Sequence, residues 1–194
     1  MITELQRDPT VDLQVSGRRI FLYDEILQPE HIDRIHTAVS SMRFCRTESD
    51  RADTKEVRTF AADVTGQWVA EEPLFPVIAA LVHELFPRDD LQPYRAYINC
   101  IVYGDSAYPH RDCAPDRKDV TALYYVNREW PRTWCGETIF FEDNGDPRIA
   151  IAPCPGRLVI FEGAIEHRVG VPSRDCYVER LTLAYKFRAP GEWR

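Results

Sequence analysis

The feature that most constrains this chain is its second half, where short β-type runs follow one another with turn residues between them. Strands are predicted near Tyr94–Tyr103, Asp119–Asn127, Gly136–Phe141, Arg148–Ile151, Arg157–Phe161, His167–Val171 and Val178–Phe187. The punctuation is Gly104-Asp105, Asn144 to Pro147, Pro153 to Gly156, Gly163 and Pro172-Ser173. Many short strands at such spacing bury their apolar faces in a sandwich or a barrel. Residues 1–90 have another texture. Arg19–Tyr23 reads as one short strand, and a helix opened by Pro29 carries Ile32, Ile35, Val39 and Met42 on a single stripe. A second helix runs near Phe75–Phe86 and stops before Pro87. Between them, residues 43–56 are dense in charge and lack an apolar period, which predicts a surface loop of the length that lids often have. The implied architecture is mainly β with N-terminal helices. A jelly-roll barrel over residues 91–190 is buttressed by a helical and lid region over 1–90, within one domain of 194 residues.

Composition narrows the partners. The 24 basic against 31 acidic residues give a net charge of −7, which argues against nucleic acid held by global positive charge. No apolar run reaches the roughly 18–20 residues of a membrane span. Met1–Val15 mixes Glu4, Arg7, Asp8 and Asp12 with isolated apolar residues, unlike an export signal. The six cysteines form no CxxC pair, so a zinc–thiolate site is not expected. Reduced thiols and a cytoplasmic location are the expectation. The sequence carries no signal for oligomeric state.

The pattern His-x-Asp occurs twice, at His31-Ile32-Asp33 and His110-Arg111-Asp112, where composition alone gives about 0.4 such triplets. The first copy falls on the predicted helix, where residues two apart diverge. The second follows a strand, and on extended backbone alternate side chains share a side, so one imidazole and one carboxylate can converge. His167 is the one further histidine of the β half. Two histidines and a carboxylate make the facial set that leaves three positions open on Fe(II). His110 and His167 read equally as unrelated barrel residues. If the open positions hold an α-keto acid, its far carboxylate needs a deeper cation, preferably arginine. Arg180, at the start of the last strand, suits that role, and also suits a surface position or a structural ion pair.

These residues resemble the Fe(II)/2-oxoglutarate-dependent dioxygenases, in particular the prolyl-4-hydroxylase-like branch. The resemblance covers roughly residues 94–188. It rests on a tyrosine-bearing strand leading to His110-x-Asp112, then Tyr124 to Trp130, Cys135-Gly136-Glu137-Thr138, Pro155 to Phe161, His167 and Arg180, in that order. It implies a double-stranded β-helix with His110, Asp112 and His167 as iron ligands. Arg180 would hold the C5 carboxylate of 2-oxoglutarate, and Tyr125 and Tyr103 would hydrogen-bond to that cosubstrate. Fe(II), 2-oxoglutarate and O2 are the implied cofactors, with 2-oxoglutarate decarboxylated to succinate as a substrate C–H bond is hydroxylated. The acid at Asp112 fits hydroxylation, since halogenating relatives carry a small residue there. The family's Gly-Gly appears here as Cys135-Gly136, a mild change if the turn needs one glycine, and the His167-to-Arg180 segment is long. Arg168 and Arg174 compete with Arg180 but are expected nearer solvent.

Other residues carry weaker expectations. Asn99 shares parity with Tyr97 and Ile101 and faces the barrel interior or is satisfied by backbone. Trp130 and Trp134 read as packing ahead of pocket lining. Arg58 and the 43–56 segment read as solvated ahead of a substrate lid. Cys113 adjoins Asp112 without a sign of a lowered pKa. The expected substrate is a small amino-acid-derived or natural-product molecule. The alternatives are a peptidyl, prolyl-type substrate, a divalent-metal hydrolase and a non-catalytic binding barrel. Arg180 and Tyr125 discriminate, because a hydrolase has no need of a keto-acid clamp.

Overall fold

The computed structural model describes residues 8–88, 90–105 and 107–190. The reading of Met1–Val15 as free of an export signal lies in part outside them. The elements in chain order are β1 (Val11–Val15), β2 (Arg18–Tyr23), α1 (Pro29–Ser40), β3 (Cys45–Glu48), β4 (Thr59–Asp63), α2 (Gly66–Glu71), α3 (Leu74–Leu85) and β5 (Gln92–Ile101). There follow β6 (Val120–Tyr125), β7 (Thr138–Phe141), β8 (Pro147–Ile151), β9 (Leu158–Glu162), β10 (His167–Val169) and β11 (Arg180–Arg188). One antiparallel sheet has the order β1-β2-β9-β6-β11-β5-β4-β3, and a smaller one has the order β10-β7-β8. This is the jelly-roll arrangement, with the helices on the outer face of the large sheet.

Alternation along the central strands builds two cores. Val120, Ala122 and Tyr124 of β6, with Leu181, Leu183, Tyr185 and Phe187 of β11, join Ile35 and Val39 of α1 and Leu74, Val77, Ile78, Leu81 and Val82 of α3. Their neighbours Leu123, Tyr125 and Ala184 turn the other way and meet Phe140, Ile151, Val159 and Phe161 between the sheets. A strand covered on both faces is buried along its length, as β6 and β11 are, β6 as a nearly continuous apolar run and β11 with polar residues on the inner face alone. Each fully buried aliphatic side chain contributes about 1.5–3 kcal/mol of transfer free energy. Among the described residues no helix is long and apolar enough to cross a membrane.

The seven strands predicted for the second half and both long helices are present, with ends moved by at most two residues. The reading of residues 1–90 as helices around one strand needs correction, because four strands and a short third helix lie there. β1 and β2 form a hairpin joined by Ser16 and Gly17, both at positive φ (48° and 76°), the conformation a two-residue hairpin requires. The expected loop 43–56 contains β3, whose exposed residues pair with β4 at the sheet edge. An edge strand wet on both faces shows no apolar period, so its sequence looks like loop. Strands of the first 90 residues complete the sheet of the later ones, β2 beside β9 and β4 beside β5.

Gly156 closes the turn before β9 at φ 73°, and a Cβ there would lie 2.6 Å from Ile32 Cδ1 on α1. A side chain would therefore be strained by the positive φ, and the end of the Ile32 side chain would have to move aside. Gly156→Ala is expected to cost about 2 kcal/mol and to lower the melting temperature by about 4–8 °C in a thermal scan.

Candidate active site

His110 and His167 face each other as a small antiparallel bridge, each backbone N–H donating to the other's carbonyl at 3.0 and 2.9 Å. Two residues on, the Asp112 amide donates to Gly163 O at 2.8 Å, which keeps that segment extended and puts Asp112 on the side of His110. The ring centroids lie 4.5 Å apart. His110 Nδ1 donates to Tyr108 O at 3.0 Å and His167 Nδ1 to Ile165 O at 2.9 Å. A carbonyl only accepts, so each Nδ1 carries the proton and each Nε2 presents a lone pair. His110 Nε2 is 3.7 Å from Asp112 Oδ1, and His167 Nε2 is 3.8 Å from Asp112 Oδ2. One ligand atom from each of the three lies within 4.8 Å of the others, so the trio fits one ion. Among the described residues it is the one such group of histidine, cysteine or acidic side chains.

The electrostatics favour a metal ligand set. Burial pushes the His167 pKa down to about 3, with Asp112 opposing and the His110 and Lys186 charges adding, so this imidazole is neutral at ordinary pH. Burial alone would raise the Asp112 pKa, but the charges of Lys186, His167 and His110 outweigh it and hold the carboxyl well below its usual range. Asp112 Oδ2 accepts from Thr121 Oγ1 at 2.5 Å and from Lys186 Nζ. Phe161 stands edge-on to His167 at 4.8 Å and shields it from water.

A cavity of about 270 Å³ opens from this trio. Its walls take alternate residues of three strands: Tyr97, Asn99 and Ile101 of β5, Thr121 and Leu123 of β6, and Arg180, Thr182, Ala184 and Lys186 of β11. Arg180 is 2% exposed, donates from Nε to Gly136 O at 2.6 Å and from Nη2 to Thr138 Oγ1 at 3.0 Å, and stacks on Tyr125 at 5.0 Å. Among the described residues no carboxylate lies in ion-pair range of it. Burial lowers its pKa, with Tyr125 and Glu137 opposing. A buried guanidinium without a counter-charge is costly and calls for an anion. Thr182 Oγ1, buried in the same wall, also has no hydrogen-bond partner.

The structure thus brings His110, Asp112 and His167 together and places Arg180 in the same cavity. Tyr125 does not line the cavity. Its hydroxyl bonds Thr138 Oγ1 at 2.6 Å, so it acts on the cavity through Thr138 and Arg180. Tyr103 is a correction: it is 58% exposed and away from the cavity, because β5 ends at Ile101 and the strand's alternation no longer applies. Tyr94 and Tyr97 are the tyrosines of that strand that line the cavity. Asn99 faces the cavity, and Trp130 and Trp134 pack on each other at 5.3 Å with Cys176. Arg58 is exposed, whereas Glu48, Ser49 and Asp50 reach the cavity mouth, with Asp50 accepting from the Tyr108 amide at 2.7 Å. Arg168 reaches the rim, while Arg174 is exposed. Burial pushes the Cys113 thiol up to about 11, so it is inert. Thr121, Thr138 and Lys186 were missed. Parity with Arg180 along β11 was the one available signal, and it points to Lys186.

The turn carrying Gly136 also differs from expectation. Cys135 (φ 54°) and Gly136 (φ 75°) both have positive φ, so this turn asks for two glycines and Cys135 holds a strained conformation. Gly136 has a second reason to lack a side chain, since a Cβ would lie 3.2 Å from Arg180 Cδ. Cys135→Gly is expected to stabilise the protein by about 1 kcal/mol, read as a melting temperature higher by about 2–4 °C.

The fold and the trio define a jelly-roll oxygenase. The family model of the 2OG-Fe(II) oxygenase superfamily matches residues 98–188, most of the barrel of this chain. The protein is accordingly a 2-oxoglutarate-dependent dioxygenase that uses Fe(II), 2-oxoglutarate and O2. Similar solved structures include a Pseudomonas putida prolyl-4-hydroxylase, with 20% identity and TM-score 0.64 over 89% of this chain and 93% of that one. A Trichoplax adhaerens prolyl hydroxylase, in complex with a hypoxia inducible factor peptide fragment, has 18% identity and TM-score 0.65 over 88% and 83% of the two chains. A non-heme α-ketoglutarate-dependent epimerase of nogalamycin biosynthesis has 14% identity and TM-score 0.62 over 88% and 77%. At these identities the likeness is one of fold. No curated protein matches the chain.

Proposed function

We propose that the protein hydroxylates an unactivated C–H bond of a small amino-acid-derived or natural-product substrate, converting 2-oxoglutarate to succinate. The observation that carries this reading is Arg180, a sealed cation without a carboxylate partner in the cavity that opens from the His110–Asp112–His167 trio. In this reading His110 Nε2, His167 Nε2 and Asp112 hold the iron. Fe(II), when bound, supplies the activation of O2 that couples decarboxylation of the keto acid to oxidation of the substrate. Arg180 holds the far carboxylate of the cosubstrate, and Thr138, backed by Tyr125, orients its guanidinium. Tyr103 has no part in it. The backbone bonds at both Nδ1 atoms fix the imidazoles, and Phe161, Leu123 and Ile101 keep the cavity apolar between its charged ends.

The size of the substrate follows from the space. A cavity of about 270 Å³ must hold the cosubstrate and the reacting part of the substrate. Its mouth carries both signs of charge, Glu48 and Asp50 with Arg95 and Arg111, as a zwitterion would require. We take residues 1–194 to work as one domain, because β3 carries Glu48 to that mouth. A peptidyl substrate is the second reading, favoured by the free edge of β3 beside the mouth, where an extended peptide could pair.

Incubation of the Fe(II)-loaded protein with 2-oxoglutarate and a panel of free amino acids, their derivatives and proline-containing peptides should yield succinate with a product heavier by one oxygen. Turnover confined to the peptides would favour the second reading. His110→Ala and His167→Ala are expected to abolish coupled turnover and divalent-metal binding. Arg180→Ala should raise KM for 2-oxoglutarate at least about tenfold with a smaller change in kcat, as loss of a charge-assisted bidentate bond implies. An unchanged KM would mean that another cation binds the cosubstrate.

A further inference from the structure

β5 sends its even-numbered residues Ala96, Ile98 and Cys100 into the outer core and its odd-numbered Arg95, Tyr97, Asn99 and Ile101 into the cavity wall. Tyr94 breaks this alternation. Lys186 of β11 pairs with Arg95 and the next residue, Phe187, pairs with Pro93, so Tyr94 is an extra residue bulged out of the ladder. A bulge re-aims a side chain, and this one brings Tyr94 to the cavity mouth, on the crest between the cavity and a groove of the outer face. The residue is 39% exposed, and among the described residues its hydroxyl has no hydrogen-bond partner. Burial raises its pKa, with Lys186 opposing and Asp112 adding, so it stays a hydroxyl with a proton to donate.

The charges at the mouth are sorted by strand. Glu48 and Asp50 come from β3 and the turn after it. Tyr94 stands at the step of β11 between Lys186 and Arg188, and the Arg188 guanidinium lies 4.1 Å from its ring centroid. The acids on this side are already held, Asp112 by Lys186 and Asp119 by Arg117. Arg95 separates the two sides in ion pairs with Glu48 and Asp63. Arg111 and Arg168 reach the rim beside the metal ligands, Arg111 in an ion pair with Asp143. An acceptor arriving beside Tyr94 therefore meets a free donor flanked by two cations.

We propose that Tyr94 determines substrate specificity by donating a hydrogen bond to a carboxylate of the substrate. A free amino acid then enters with its acid group on the β11 side of the mouth and its ammonium toward Glu48 and Asp50. The inference rests on the small-substrate reading above and gives that substrate an orientation. A hydrogen bond to a carboxylate is roughly twice as strong as one to a neutral acceptor, so the phenol favours an acid over its amide. The bulge is what makes this contact available, because regular alternation would bury the ring with Ala96 on the helix side.

The test compares free amino acids with their own carboxamides as substrates of the Fe(II)-loaded protein, with 2-oxoglutarate and O2, reading the hydroxylated product. The parent is expected to prefer the acid over its amide at least about tenfold in kcat/KM. Tyr94→Phe keeps the ring against Arg188 and removes one oxygen that no protein group bonds, so the fold is spared. It should cut the preference about tenfold through KM of the acid, with KM for 2-oxoglutarate within about twofold of the parent's. A merely structural tyrosine would move acid, amide and cosubstrate together. Arg168→Gln, the rival cation at the rim, should lower the preference by less than Tyr94→Phe does. A preference retained in the Tyr94→Phe protein, or lost only in the Arg168→Gln protein, overturns the proposal. Turnover of proline-containing peptides alone also overturns it and leaves the oxygenase reading standing. A parent that oxidises no amino acid, amide or peptide of the panel overturns the function assigned above and this inference with it.

Discussion

Two backbone hydrogen bonds between His110 and His167 hold the functional centre of this protein together. They join segments that lie far apart in the chain, and they do so at the residues that carry the imidazoles, so the distance between the two rings is set by β-bridge geometry. Asp112 inherits its place from the same pairing through its amide bond to Gly163. The surrounding jelly roll supplies a second strand on one side, β7 beside β10, and the wide sheet on the other. Any slip of one residue in these pairings would turn an imidazole or the carboxylate out of the lumen.

The last strand organises the rest. β11 sits in the middle of the large sheet between β6 and β5, and its odd-numbered residues belong to the outer core with the helices. Its even-numbered residues line the cavity, with cations at the two ends, Arg180 and Lys186, and the small Thr182 and Ala184 between them. That spacing leaves room for a ligand only where the side chains are short. The helices α1 and α3 touch none of this directly. They bury the reverse face of the sheet, so that the strands can be apolar on one side and chemically mixed on the other.

Much of this was legible in residue order. Turn residues marked the seven strands of the later half, and parity on extended backbone separated His110-x-Asp112 from the helical copy at His31. The triad needed no more than counting, because a single histidine remained in the β half. What stayed hidden depends on who sits across from whom. Thr121, Thr138 and Lys186 reach the site through register between strands distant in sequence, which alternation within one strand does not encode. Strands β1, β3 and β4 were missed for another reason. β1 and β3 are the edges of the large sheet, where wet faces erase the apolar period, β4 is short and buried largely through small residues, and the β1–β2 hairpin turns on Ser16-Gly17, which is only a weak signal without the positive φ angles in view.

The isolated guanidinium of Arg180 reaches beyond catalysis. In the proposed function the anion that it holds is bound only by the folded chain, because the cradle of Gly136, Thr138 and Tyr125 vanishes on unfolding. Mass action then makes that anion a conformational stabiliser, contributing about 2.7 kcal/mol when its concentration is a hundred times its dissociation constant. The persistence of the native barrel is in this way coupled to the metabolic supply of the molecule it consumes.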